Sequence, residues 1–201
     1  MNTIYKGISY IFHPLLMPFF GSLIYFLNAP RFIPEEVVIA KIFSLIIITI
    51  LVPIVIFYFL KNVGVIGADN LKDVKQRRIP MLLQSLIFLL VIKMLLDIYN
   101  YPELYFFFLG ILFSSLVSIF LILFGIKISL HMIGIASVTM FTIVLSIHFS
   151  INLTLLIAVM IVINGLLATY KLHQRIHSSI EVLLGFLTGI IPQLLLIDLW
   201  L

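Results

Sequence analysis

The chain has 201 residues, 63% of them apolar and only 10% charged, with 18 phenylalanines, no cysteine and a net charge of +4. A mean hydropathy of +1.30 excludes a soluble fold, because the core of a protein this small cannot hide so much apolar surface. The absence of cysteine excludes disulfides and thiolate metal sites. The positive charge is spread over loops, which fits anionic lipid headgroups and not nucleic acid.

Seven apolar segments follow one another at about 8–27, 36–61, 80–99, 103–125, 131–148, 150–170 and 179–200. About 20 residues at 1.5 Å rise cross a hydrocarbon core of roughly 30 Å. The expectation is one integral membrane domain, 1–201, built all-α as a polytopic transmembrane helix bundle of about seven spans. The N-terminal MNTIYKGISYIFHPLLMPFF lacks a small-residue cleavage site, and His13 and Pro14 interrupt its apolar run. It reads as a retained first span, not a cleaved signal, with His13 either at headgroup level or reaching a polar pocket on the same side of the membrane. Pro34 with Glu35 and Glu36 suits a helix start. In the third span Lys93 and Asp97 stand four apart and are expected to neutralise each other. Tyr105–Phe108 and Trp200 read as interfacial or lipid-facing aromatics. A tight turn at His148–Asn152 makes the fifth and sixth spans a hairpin, and Asn164 and Gly165 read as helix-packing positions.

Alternating spans put the N-terminus, 61–80, 126–130 and 170–178 on one face, A. Segments 28–36, 100–103, 148–152 and the C-terminus fall on the other, B. Face A carries Lys6, Lys61, Lys72, Lys75, Arg77, Arg78, Lys127, Lys171 and Arg175, nine of the twelve basic residues. The positive-inside rule would make face A cytoplasmic. Cations held there to bind a substrate would undo that inference, so the orientation stays open.

Three clusters on face A combine charge with hydrogen-bonding chemistry. LKDVKQRRIPMLL (71–83) gathers four cations before Pro80, either as a basic loop or as a phosphate clamp. KISLHMIG (127–134) puts Lys127, Ser129 and His131 at a helix start, as a capped connector or as an anion site at the helix N-terminus. In YKLHQRIHSSIEVLLGF (170–186), Ser178 or Ser179 can cap the last helix. His177 and Glu181 lie four apart on one helical face, as a surface pair or as an imidazole oriented by a carboxylate. Two spans separate each cluster from the next, so all three return to the same side. Two histidines, a carboxylate and several cations are the parts needed for phosphoryl transfer through a phosphohistidine, with neither metal nor cofactor.

These residues resemble the type 2 phosphatidic acid phosphatase superfamily, whose motifs run Lys-x6-Arg-Pro, Pro-Ser-Gly-His and Ser-Arg-x5-His-x3-Asp. Lys72 stands eight residues before Pro80, Ser129 and His131 fall as in the second motif, and Lys171 precedes His177 by six. The resemblance covers about 61–195, and SYIFHPLLMPFFG (9–21) is similar to the first helix of such proteins from Bacteroidetes. It implies a six-helix core plus one span, His177 as nucleophile, Glu181 as its orienting carboxylate and His131 as general acid. It implies Lys72, Arg78, Ser129 and Lys171 as phosphate holders, and Gly185 and Gly189 as close-packing positions. All three motifs depart from the pattern. The arginine is one place early at Arg78, Leu130 replaces the glycine, Tyr170-Lys171 replaces Ser-Arg, and Glu181 replaces Asp.

The expected function is hydrolysis of a lipid phosphate or diphosphate, on an isoprenoid carrier or a phospholipid, in a bacterial inner membrane. The alternative is a lapsed member acting as a lipid-binding or membrane-complex scaffold protein, alone or as a homo-oligomer. A small transporter is a third reading, which the scarcity of ionisable residues within the spans opposes.

Overall fold

His13 and Pro14 divide the first apolar stretch. The computed structural model describes residues 2–65 and 75–200, and the side chains of residues 7–65 and 76–200. Helix α1 (Asn2–Ile11) ends before His13, a short 3-10 turn covers Pro14–Leu16, and α2 follows at Met17–Asn28. The expected first span at 8–27 is therefore two pieces. The apolar part, Pro14–Asn28, reaches only about 22 Å at 1.5 Å per residue.

Among the described residues six further helices have the length and hydropathy to cross a membrane: α3 (Glu35–Asn62), α4 (Arg78–Leu95), α5 (Pro102–Leu123), α6 (Leu130–His148), α7 (Thr154–His173) and a last one over Ser179–Leu199. The α-helical part of that last span is α8 (Ser179–Leu195). The protein is an all-helical polytopic bundle, and no strand occurs among the described residues. Pro53 has no N–H to offer the carbonyl of Thr49, and α3 passes this point through a π-helical turn at Ile47–Leu51.

Helix α8 is pressed hardest against α6. A side chain at Gly185 would come within 2.7 Å of the Ser129 carbonyl, and one at Gly189 within 2.5 Å of the Ile133 carbonyl. Only glycine allows that approach. Ser137 Oγ then donates to the Gly189 carbonyl at 3.0 Å. From α5, Ser114 Oγ donates to the Thr188 carbonyl at 2.8 Å, and Gln193 Nε2 of α8 donates to the Phe107 carbonyl at 3.1 Å. Asn164 of α7 donates to Thr139 Oγ1 of α6 at 2.9 Å. Lipid offers no hydrophobic drive between helices, so such close contacts and polar ties do the joining.

Several local expectations give way to this packing. Gly165 is exposed with open space beside it, so Asn164 alone makes the contact. Phe106, Phe107 and Phe108 are buried, with Phe107 stacked on Phe141 at 4.3 Å, and only Tyr105 stays half-exposed. Trp200 packs edge-on against His148. The Lys93–Asp97 pair does not form. Helix α4 ends in a π-helical turn at Val91–Leu95, and Leu96 is extended, so the four-residue spacing loses its helical meaning. Asp97 instead accepts from the Tyr99 N–H and from Asn100.

Face B is tied by a buried carboxylate. Glu103, fully buried in the first turn of α5, accepts from Arg31 at 2.5 Å, from His148 at 3.2 Å and from the Tyr25 hydroxyl at 3.2 Å. One side chain thus joins the ends of α2, α5 and α6 to the 29–34 loop.

Candidate active site

The site begins with the way α7 stops. Arg175 takes a left-handed conformation, φ 52°. The N–H of Ile176 returns to the Lys171 carbonyl at 3.1 Å and that of Arg175 to Leu172 at 3.0 Å. This is the six-to-one, five-to-two closure of a Schellman motif. It turns the chain so that Ser178 can start α8, where its Oγ accepts from the Glu181 N–H at 3.3 Å. In a Ser-x-x-Glu capping box the glutamate would reach back to the N-cap N–H. Here its carboxylate goes to His177, with Nδ1–H donating to Oε2 at 2.6 Å. In the neutral imidazole the lone pair is then on Nε2.

His177 is nearly enclosed, with 7% of its side chain exposed. Burial is the main force on its charge and lowers its pKa, Glu181 opposes that shift, and Lys127 and Arg77 reinforce it. A carboxylate that holds Nδ1 while burial disfavours the cation keeps the imidazole neutral and directed.

The loop before α6 closes over the same turn. Lys127 Nζ donates to the Ile176 carbonyl at 2.9 Å, and the Ser129 N–H donates to the Glu181 carbonyl at 3.3 Å. Ser129 occupies the N-cap position of α6 without capping it, and its fully buried hydroxyl has no partner. A buried, unpaired hydroxyl is costly, and an incoming anion would satisfy it. Two residues on, His131 lies within electrostatic reach of His177.

Lys171 is buried near the end of α7, with its Nζ donating to Ser9 Oγ at 3.0 Å. His131 Nε2–H donates to the Ser9 carbonyl at 3.2 Å. His13 packs edge-on against His131, ring centroids 5.5 Å apart, and its Nδ1 accepts from the Leu15 N–H at 3.3 Å. Burial lowers the His13 pKa, and Lys171 adds to the effect.

His177, Glu181, His131, Ser129 and Lys171 are therefore gathered at one end of the bundle. Arg78 is directed elsewhere: its Nη2 donates to the Leu123 carbonyl at the end of α5 at 3.4 Å, and its buried Nε is unpartnered. Arg77, one residue earlier, is close enough to Glu181 and His177 to act on both charges. Lys72 lies outside the described residues. Sequence reasoning missed Ser9, counted Arg77 among the cations of the 71–83 cluster without giving it a role of its own, and set His13 at headgroup level with reach to the pocket as the alternative. The His13-Pro14 break was the one available signal, since it stops α1 beside the site. Among the described residues no set of three metal-ligating side chains converges.

Comparison with models of known families, with curated proteins and with solved structures finds no match to this chain. Its chemistry is read from the geometry.

Proposed function

We propose that the protein is a membrane-embedded phosphatase of the type 2 phosphatidic acid phosphatase kind, acting on a lipid phosphate or diphosphate. The observation that carries this reading is the 2.6 Å His177–Glu181 hydrogen bond set among Lys127, Arg77, Lys171 and a second imidazole. His177 Nε2 attacks phosphorus and forms an N–P bond as the P–O bond to the lipid breaks. His131 in its protonated form, favoured by the bound phosphate anion, gives its proton to the departing oxygen. Water then attacks the phosphohistidine, His131 recovers the proton, and inorganic phosphate leaves. Lys171, Lys127 and Arg77 stabilise the charge on the equatorial oxygens, and the Ser129 hydroxyl donates to one of them.

The deciding measurement is phosphate release by the detergent-purified protein from phosphatidate, phosphatidylglycerophosphate and isoprenoid diphosphate. His177→Ala should lower turnover at least ~10³-fold with an unchanged melting temperature. Equal turnover in the variant would remove His177 from the chemistry. A second reading, a lipid-phosphate binder without turnover, is favoured by Arg78 being held at the Leu123 carbonyl. It predicts saturable binding of the same lipids and no release by either protein.

A further inference from the structure

Ser9 presents the site with two oxygens. Its hydroxyl accepts from Lys171 Nζ at 3.0 Å, and its carbonyl accepts from His131 Nε2 at 3.2 Å. Lys171 is a buried cation, and burial without an acceptor would be costly. In the closed arrangement a neutral serine stands where an anion would satisfy both donors better.

We propose that α1 is a lid whose Ser9 occupies the phosphate-holding positions of Lys171 and His131, and that a phosphate group entering the site displaces it. The inference rests on the phosphatase or phosphate-binder reading of this site. Three features make α1 suited to move. It is separated from α2 by His13 and the Pro14–Leu16 turn, so it can swing without unwinding a span. Over its described side chains, residues 7–11, the outer edge is not packed: Tyr10 is 68% exposed and Ile11 56%, an apolar edge fit to rest in the headgroup region. Lastly, Ser9 is held by polar contacts that a phosphate can replace one for one. His13 lies at the hinge, so its packing on His131 passes the position of α1 to the site.

The lid changes what limits binding. A ligand must compete with Ser9, so its apparent affinity is reduced by the fraction of molecules that are closed. The Ser9→Ala variant loses the hydroxyl that satisfies Lys171 and should bind phosphate more tightly. If Ser9 were a substrate ligand, the same variant would bind more weakly.

The chain has no cysteine, and a side chain at Gly7 would meet nothing within 4 Å. A single Gly7→Cys can therefore carry an environment-sensitive dye on α1 without disturbing the fold. The labelled full-length protein in detergent would be titrated with orthophosphate, and separately with mixed micelles containing phosphatidate. Calorimetry would measure binding independently of the dye. The lid predicts a saturable change in emission that follows binding, and a Kd lowered roughly three- to tenfold by Ser9→Ala. A response to orthophosphate shows that the phosphate group alone displaces Ser9, and a response only to the micelles shows that the lipid chains are needed as well. Binding seen by calorimetry with a silent dye, or with an unchanged or weaker Kd in Ser9→Ala, would overturn the lid and leave the site standing. No binding of either ligand to either protein would overturn the reading of the site, and the lid with it.

Discussion

At the scale of single residues, His177 is governed by two opposed influences. Burial and neighbouring cations disfavour its protonated form, while Glu181 favours it, and the net effect is a pKa below the ordinary 6.5. As the nucleophile it must be neutral, so kcat/KM should lose activity on the acid side only below pH 6.5. In Glu181→Gln the opposing carboxylate is gone, so the acid limb should move to still lower pH. The same variant should cost ~10- to 100-fold in kcat, because a neutral amide orients the ring and supports the attacking imidazole less well. A pH–rate profile checks both, and a limb above 6.5 in the native protein would contradict the assignment. Stability follows the same sign. A histidine whose folded pKa is lowered binds fewer protons when folded, so its contribution falls as pH drops below 6.5.

At the scale of elements, the helix ends show how the site is aimed. Helices α3, α5, α6 and α7 all close with a residue of positive φ: Gly64, Gly125, Ser150 and Arg175. Two of these are glycines, which adopt the conformation without steric cost, and two are not. Arg175 is exposed, and its backbone alone makes the turn that delivers His177. Arg175→Gly should therefore stabilise the detergent-solubilised protein by about 1 kcal/mol and leave turnover within about twofold, as read from thermal melts and kinetics together. Destabilisation would mean that the guanidinium carries more than the turn. The 185–189 segment works in the opposite sense. Its glycines bring α8 within contact of α6 backbone atoms, and Glu181, one turn before Gly185, is set against the loop before α6 by that approach.

At the scale of the molecule, the two ends of the bundle are pinned by different chemistry. Helix α6 carries His131 at the site end and His148 at the other, where His148 meets Glu103. The Pro14–Asn28 segment runs in parallel, from His13 against His131 to Tyr25 against Glu103. Glu103 was not picked out by sequence reasoning, though an acid directly after Pro102 at a helix start is a visible signal. Glu103→Gln should cost about 2 kcal/mol, less than the ~3–5 typical when a fully buried pair is broken, because the Arg31 side chain is 37% exposed and keeps part of its hydration. The measurement is the melting temperature in detergent, with Arg31→Met as the matching partner. No change in either variant would show the cluster to be energetically idle.

The sequence alone determined the membrane class, the helical architecture, the positions of the main breaks and the return of three polar clusters to one side. It also placed His177 and Glu181 on one helical face and confined the cap of the last helix to Ser178 or Ser179. Each of these depends on composition, on span length or on contacts within one helical turn, and all are local quantities. Tertiary structure decided the rest. It brought Arg77 close enough to act on the charge of Glu181 and turned Arg78 to the Leu123 carbonyl, because successive residues on a helical turn differ by roughly 100° and only packing fixes where each one points. It broke the Lys93–Asp97 spacing by ending α4 early, and it buried Phe106–Phe108 in the core. Ser9 came to Lys171 across 162 residues, and Glu103 to Tyr25 across 78. No local pattern encodes such meetings: they follow from the order in which helices pack, and that order is set by close glycine contacts and buried polar ties between helices.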